Sequence, residues 1–103
     1  MIMEGDLPGA QQSHERALAI RENTLGPDHP ETALSIVNLG RAFLAQNEPI
    51  RACSLFERAL AVREKRLGPE HHWTRASARY AVQALDILGR AEEAKALREK
   101  YDV

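Results

Sequence analysis

Two segments of the sequence are near copies of each other, and 42 residues separate them. Glu15–Glu22 returns as Glu57–Glu64 with a single change, and the loop Leu25–His29 returns as Leu67–His71. A period of this size is typical of solenoids, in which each repeat is one supersecondary unit that buries its apolar face against its neighbour. The repeat therefore constrains the chain to a stacked array of similar units.

The spacing of apolar residues predicts five helices, because apolar positions recur at helical intervals between breaks made by Gly and Pro. A turn is predicted at residues 5–9, with Asp6 or Leu7 near the cap of the first helix. No segment alternates with a period of two, and no Asn-Gly or Asp-Gly turn occurs, so hairpins are not expected. We predict an all-α fold, an α-solenoid of antiparallel helix pairs within one domain, residues 1–103. The helices are predicted over residues 8–25, 30–46, 49–66, 72–88 and 91–101.

The second helix carries two informative local features. Asp28 or His29 can cap it, and Pro30 suits a first turn because the N–H that proline lacks is not needed there. Gly40 lies within the helix, where glycine costs about 1 kcal/mol relative to alanine. The close approach of a neighbouring helix would explain this glycine.

Composition argues against several classes of partner and location. The chain has 14 basic and 15 acidic residues. This balance gives no excess of positive charge that would favour binding to nucleic acid or an anionic membrane. No apolar run approaches the roughly 20 residues that span a bilayer, and residues 1–6 do not resemble the start of a signal peptide. Cys53 is the only cysteine, so no intrachain disulfide can form. This pattern fits a reducing compartment, and we predict a cytoplasmic location.

No group of residues predicts catalysis or metal binding. His29 and His71 occupy equivalent positions in different repeats, so they are not expected to cluster, and no zinc-ligand spacing occurs. Cys53 has no neighbour in sequence that would activate it. The charged clusters, including Arg63–Arg66, are interpreted as solvated helix faces. We therefore predict no enzyme activity, no cofactor and no metal site.

Several stretches resemble the tetratricopeptide repeat (TPR) family, in particular the long-period repeats of kinesin light chains. Asn38-Leu39-Gly40 with Phe43 looks like the signature of the first helix of a unit, and Ala52, Phe56 and Ala59 look like that of the second. Residues 58–71 are similar to the extended second helix and loop of the light-chain variety, and residues 89–94 to the turn within a unit. The period of 42 departs from the usual value of about 34. In the last unit Tyr80 stands where Asn38 stands in the middle unit.

The resemblance implies about two and a half units whose first helices, the second and fourth of the chain, line a concave surface that binds extended peptides. The expected function is a non-catalytic scaffold for protein interaction. Asn38, with Arg41 and Arg79, would favour a partner that bears a carboxylate or acidic side chain. The alternative for these residues is a solvated polar face with intrahelical pairs. The predicted concave positions are Leu34, Val37, Asn38, Arg41, Leu44, Ala45, Arg75, Arg79, Tyr80 and Gln83.

A second hypothesis is a structural module that forms homo-oligomers through its terminal helices. The positions equivalent to Phe56 in the outer units are His14 and Arg98, as expected at capped ends. The first helix nevertheless lacks a partner on one side, which leaves its apolar residues uncovered. Trp73 is expected either to cover the loop at residues 67–69 or to anchor an interface. The candidate self-association residues are Leu18, Ile20, Trp73, Leu97 and Tyr101.

Overall fold

The computed structural model describes residues 7–103, with side chains described from Gly9 onward. Five α-helices make up the fold, and no strand occurs in this part of the chain. They are α1 (Leu7–Leu25), α2 (Pro30–Ala45), α3 (Pro49–Leu67), α4 (His72–Ile87) and α5 (Ala91–Tyr101). Each helix packs against the next, and connections of three or four residues require consecutive helices to run antiparallel. The predicted all-α solenoid is confirmed. The proposed cap at Asp6 lies outside the described residues, and the division into domains stays a prediction.

The helices that begin after the repeated loop are capped in the same way. The His29 Nδ1 atom accepts a hydrogen bond from the Glu31 N–H at 3.0 Å, and the His71 Nδ1 atom accepts one from the Trp73 N–H at 3.1 Å. Of the two caps proposed for α2, the structure uses His29. The preceding loops begin with Gly26 and Gly68, whose φ angles of 93° and 92° lie in the left-handed region that favours glycine.

The centre of the core is Phe56, which is fully buried on α3. Its ring lies directly against Gly40 of α2. A Cβ atom at position 40 would lie 2.6 Å from the Phe56 Cε1 atom, so only glycine fits there without movement. The neighbouring helix that the sequence predicts near Gly40 is therefore α3. Glycine lowers the helix propensity of this position, but its lack of a side chain lets α2 and α3 pack closely around one aromatic ring.

A buried arginine links α3 to α4, contrary to the prediction for this position. Arg63 is only 5% exposed, so the interpretation of its charged segment as a solvated face is wrong for this residue. Its Nη1 atom donates to the Ser77 hydroxyl at 2.8 Å and to the Trp73 carbonyl at 3.0 Å. Arg21 makes the equivalent bond one repeat earlier, to Ser35 at 2.6 Å. Each arginine–serine hydrogen bond thus links the second helix of one unit to the first helix of the next unit.

Two of the candidate self-association residues are buried. Leu18 is 7% exposed and belongs to the core, and Tyr101 is 4% exposed. The Tyr101 hydroxyl donates to Glu64 Oε2 at 2.7 Å, and the Arg75 guanidinium donates to the carbonyls of Tyr101 and Asp102. These contacts fasten the end of α5 to α3 and α4. Neither Leu18 nor Tyr101 is available as an exposed self-association contact in this fold.

None of the helices in residues 7–103 is both long enough and apolar enough to cross a membrane.

Candidate functional site

The sides of α2 and α4 that do not face the core form a groove. On α2, the buried residues pack against α1 and α3, whereas Leu34 and Arg41 are exposed and Asn38 is half-buried. Two cavities lie in this α2–α4 groove, of about 400 Å³ and about 470 Å³. The first cavity is lined by Pro30, Glu31, Leu34, Val37, Asn38, Arg41, Arg63, Trp73, Ala76 and Tyr80. The second cavity is lined by Arg41, Leu44, Ala45, Tyr80, Gln83 and Ile87.

Arg41 and Tyr80 line both cavities, and they contact each other across the groove. The Arg41 guanidinium lies 5.4 Å from the centroid of the Tyr80 ring, a cation–π geometry. The Tyr80 ring in turn stacks on Phe56, with centroids 5.2 Å apart and an interplanar angle of 24°. The buried Phe56 ring therefore positions Tyr80, and the Tyr80 ring contacts the Arg41 guanidinium at the boundary between the two cavities.

Trp73 forms one wall of the first cavity, where the sequence did not place it. Its side chain is 48% exposed and contacts the His71 and His72 rings, with centroids 5.3 and 5.4 Å away. The Arg63 guanidinium lies 6.0 Å from the Trp73 ring centroid. Trp73 precedes Tyr80 by seven residues, which is two helical turns, and this spacing is the signal that could have assigned it to the groove.

The first cavity carries a net positive charge. Arg41 and Arg63 are its two cations, and Glu31 is its single acidic residue. Burial lowers the pKa of Arg63 from its ordinary value, and its Nε atom is buried without a hydrogen-bond partner. Neither arginine forms an ion pair with another residue in the described part of the chain. The groove therefore combines apolar walls with cations that lack an internal counter-ion.

The structure brings together most, but not all, of the residues predicted for the concave face. Eight of the ten predicted residues line the two cavities. Arg75 instead bonds the end of α5, and Arg79 is exposed and lines neither cavity. Ile87, which is 55% exposed in the second cavity, was not predicted. The predicted residues that line the groove are Leu34, Val37, Asn38, Arg41, Leu44, Ala45, Tyr80 and Gln83.

Cys53 shows no sign of reactivity. Its side chain is buried, and the Sγ atom donates to Glu57 Oε1 at 3.0 Å. Burial, followed by the hydrogen bond and charge of Glu57, raises the pKa of the Cys53 thiol to about 12. Among residues 7–103 no three His, Cys, Asp or Glu side chains form a group that could hold a metal ion.

The fold and the groove define a helical-repeat protein built from stacked helix pairs. Comparison with family models identifies the repeat, because two tetratricopeptide repeat models match residues 2–52 and 35–70. The chain therefore belongs to the tetratricopeptide repeat family, as the sequence predicted. Such repeats are generally protein–protein interaction modules and are typically non-catalytic. No curated protein matches the sequence.

The chain is also similar to solved structures. One is a crystal structure of a Podosopora anserina protein described as a kinesin light chain with nearly identical TPR-like repeats, at 31% identity and a TM-score of 0.88. A second, of a single-substitution variant of that protein, gives the same values. Each comparison covers 95% of this chain and 46% of the other, so the chain spans about half the length of these relatives.

Proposed function

We propose that this chain is a non-catalytic interaction module that binds an extended peptide segment in the α2–α4 groove. The observation that carries the proposal is the first cavity itself. Exposed Leu34 and Trp73 line a recess of about 400 Å³ into which Asn38 and Arg41 also project polar groups. Apolar walls with a few polar groups that fix orientation are typical of ligand sites.

The charge of the groove favours a ligand with an acidic side chain or a terminal carboxylate. Arg41 is exposed and has no carboxylate partner among the described residues, so a ligand carboxylate would gain a charge-assisted hydrogen bond there. The Asn38 carboxamide can donate to and accept from a peptide backbone at the same time. A nucleic acid or membrane partner is not part of the proposal, and the cytoplasmic location stays a prediction.

The test uses Trp73, the only tryptophan in the chain, as a fluorescent reporter within the groove. A displayed library of random peptides of about 12 residues, long enough to span the groove, is selected on the wild-type protein. Selected peptides are synthesised and titrated against it. We expect saturable changes in Trp73 emission, and binding at least about tenfold weaker for Asn38→Ala combined with Arg41→Ala.

Matched variants separate groove binding from general effects. Arg16→Ala removes an exposed arginine from α1 and should bind as the wild type does. Replacing the acidic residue of a selected peptide by its amide should weaken binding to the wild type and have little effect on binding to Arg41→Ala. Peptides that bind the double variant and the wild type equally would refute the proposal.

The alternative function, self-association through the terminal helices, retains one supporting observation. Ile20 is 57% exposed on α1, beside a shallow recess lined by Ala19, Glu22 and Asn23. Sedimentation of the wild type and Ile20→Glu tests it. A wild-type oligomer that Ile20→Glu dissociates supports self-association, and a monomer at all concentrations excludes it.

A further inference from the structure

We propose that the groove holds the carboxylate of its peptide ligand between two arginines, Arg63 of α3 and Arg41 of α2, and that Arg63 is a specificity-determining residue for acidic ligands. This inference rests on the proposed function and adds a contact to the same groove. It depends on one observation. Arg63 is buried against the first cavity, and no carboxylate in the described part of the chain pairs with it.

Arg63 is unusual because arginine is almost never fully buried unless it is paired with an acid. Its exposed fraction is only 5%, and its Nη1 atom donates to two neutral groups, the Ser77 hydroxyl and the Trp73 carbonyl. The Nε atom is buried without a partner. Burial lowers the pKa of Arg63, so the fold holds this charge at a cost in free energy. An anion from outside the chain would offset that cost.

The two arginines lie near the same side chain. The Arg41 guanidinium is 5.4 Å from the centroid of the Tyr80 ring. Burial lowers the pKa of Arg63, and the nearby Tyr80 partly offsets this effect. All three residues line the first cavity. A carboxylate that enters this cavity beside Tyr80 therefore meets both guanidinium groups.

The charge of the first cavity favours a carboxylate over a phosphate. Its lining contains two cations, Arg41 and Arg63, and one acid, Glu31, which leaves one positive charge in excess. One carboxylate neutralises this excess, whereas a phosphate monoester carries a charge of about −2 at neutral pH and would reverse it. If either arginine is removed, Glu31 balances the other. The preference for an acidic ligand should therefore require both arginines.

Comparison of equivalent positions shows what distinguishes Arg63. One repeat earlier, Arg21 also lacks an ion pair with the described residues, but it is half-buried and reaches water. The position of Trp73 is occupied one repeat earlier by Glu31. The later unit thus has an aromatic side chain in place of an acid, and the Trp73 ring lies 6.0 Å from the Arg63 guanidinium. A cation with little access to water gains more from a carboxylate than a hydrated cation does.

The test uses sodium 3-phenylpropanoate, a small carboxylate with an apolar group, at neutral pH and constant ionic strength. Its amide and inorganic phosphate are the controls. Binding is followed by Trp73 fluorescence and by the Nε–H signal of Arg63 in NMR spectra of the arginine side chains. We expect the carboxylate to shift both signals saturably, with dissociation constants at least about tenfold higher for the amide and for phosphate. An unchanged Arg63 signal, equal binding of the amide, or tighter binding of phosphate would overturn the inference.

Arginine variants provide a matched comparison. Arg63→Gln removes the buried charge and should bind 3-phenylpropanoate at least about tenfold more weakly than the wild type. Arg21→Gln removes the equivalent charge one repeat earlier and should bind as the wild type does. Glu31→Gln removes the only acid of the cavity lining and should bind about two- to threefold more tightly. Circular dichroism checks the fold of each variant, and a folded Arg63→Gln that binds as the wild type does would overturn the inference.

A pair of variants at Trp73 tests the site with Arg63 in place, so it does not depend on whether Arg63→Gln folds. Trp73→Glu places here the residue found at position 31 and supplies an internal carboxylate, and Trp73→Gln is its neutral control. Because the internal carboxylate competes for Arg63, Trp73→Glu should lose the response of the Arg63 Nε–H signal to 3-phenylpropanoate, whereas Trp73→Gln should retain it. An equal response in the two variants would overturn the inference.

Peptides selected on the wild type separate this inference from the proposed function. Replacement of an acidic side chain by its amide, or amidation of the C-terminus, shows which of the two supplies the carboxylate, because only the loss of that group weakens binding. Peptides that bind Arg63→Gln or Trp73→Glu as they bind the wild type, but lose affinity for the Asn38→Ala, Arg41→Ala double variant, would overturn the inference and leave the proposed function intact. Peptides that bind the double variant and the wild type equally would overturn the proposed function itself.

Discussion

Thr32 and Thr74 occupy equivalent positions in the two repeats and are both fully buried, but only Thr32 has a hydrogen-bond partner. The Thr32 hydroxyl donates to the Gly26 carbonyl at 2.7 Å, which ties the first turn of α2 to the loop before it. The Thr74 hydroxyl is buried without a partner. The same residue therefore stabilises one repeat and leaves a desolvated polar group in the other.

This difference predicts opposite effects of one substitution at the two sites. Thr32→Val should lower the free energy of unfolding by about 1–3 kcal/mol, because it leaves the Gly26 carbonyl without its hydroxyl donor. Thr74→Val should be neutral or stabilising, since it replaces an unpaired hydroxyl by a methyl group of similar size. Urea unfolding followed by circular dichroism measures both. Equal destabilisation by the two variants would contradict the hydrogen-bond assignment.

The repeated arginine–serine pairs predict a second asymmetry. Ser77→Ala removes one of the two hydrogen-bond partners of the buried Arg63 guanidinium and leaves only the Trp73 carbonyl, so it should cost about 1.5–3 kcal/mol of stability. Ser35→Ala removes the equivalent partner of Arg21, which is only half-buried and can bond water instead, so it should cost less than about 1 kcal/mol. Thermal and urea unfolding of the two variants test this order. A larger loss of stability for Ser35→Ala would show that burial of the arginine does not determine the cost of removing its serine partner.

The contact of Gly40 with Phe56 predicts that a better helix former destabilises the fold. Gly40→Ala gains about 1 kcal/mol in helix propensity, but its Cβ would lie 2.6 Å from the ring, and overpacking of this kind costs about 1–3 kcal/mol. We expect a net loss of stability in urea unfolding. In a Phe56→Leu background the ring is gone, so the same substitution should become neutral or stabilising. A loss of equal size in both backgrounds would exclude the ring as its cause.

The fold was predictable because its signals are local. The breaks at Gly26, Pro49 and Gly89 and the apolar spacing between them lie within single segments, and the observed helix bounds differ by one residue at most from those predicted, as where α2 ends at Ala45. The repeat also predicted which helices pack against each other, because equivalent segments of different units make equivalent contacts. The sequence could not decide whether Asp28 or His29 caps α2, because the cap depends on side-chain geometry and not on the spacing of residues.

The candidate site was only partly predictable. Leu34, Asn38 and Arg41 could be assigned to one face because they share a helical stripe opposite the core. Arg63 was missed because charged helix residues are usually exposed, and its burial depends on Ser77, 14 residues away on another helix. Arg75 was assigned to the groove but bonds the end of α5. These placements depend on tertiary contacts that one helix cannot reveal.

The Cys53 thiol predicts slow modification and a specific dependence of stability on pH. Because burial and Glu57 raise its pKa to about 12, the thiol stays neutral in the folded protein at pH 8, and thiolate is the reactive form. A disulfide reagent at pH 8 should therefore react with Cys53 only after unfolding in urea. Rapid reaction in buffer would contradict the burial of this side chain.

The sign of the pH effect follows from the raised pKa. The unfolded thiol loses its proton near pH 8.5–9, whereas the folded thiol holds it to about pH 12. The protonated thiol thus contributes stability that is fully present below about pH 8 and is progressively lost as the pH rises toward 12, since the unfolded state then binds fewer protons than the folded state. Cys53→Ala lacks this contribution, so its stability should fall less than that of the wild type between pH 8 and pH 10. Parallel pH profiles for the two proteins in urea unfolding would show that the folded thiol titrates as it does in the unfolded chain.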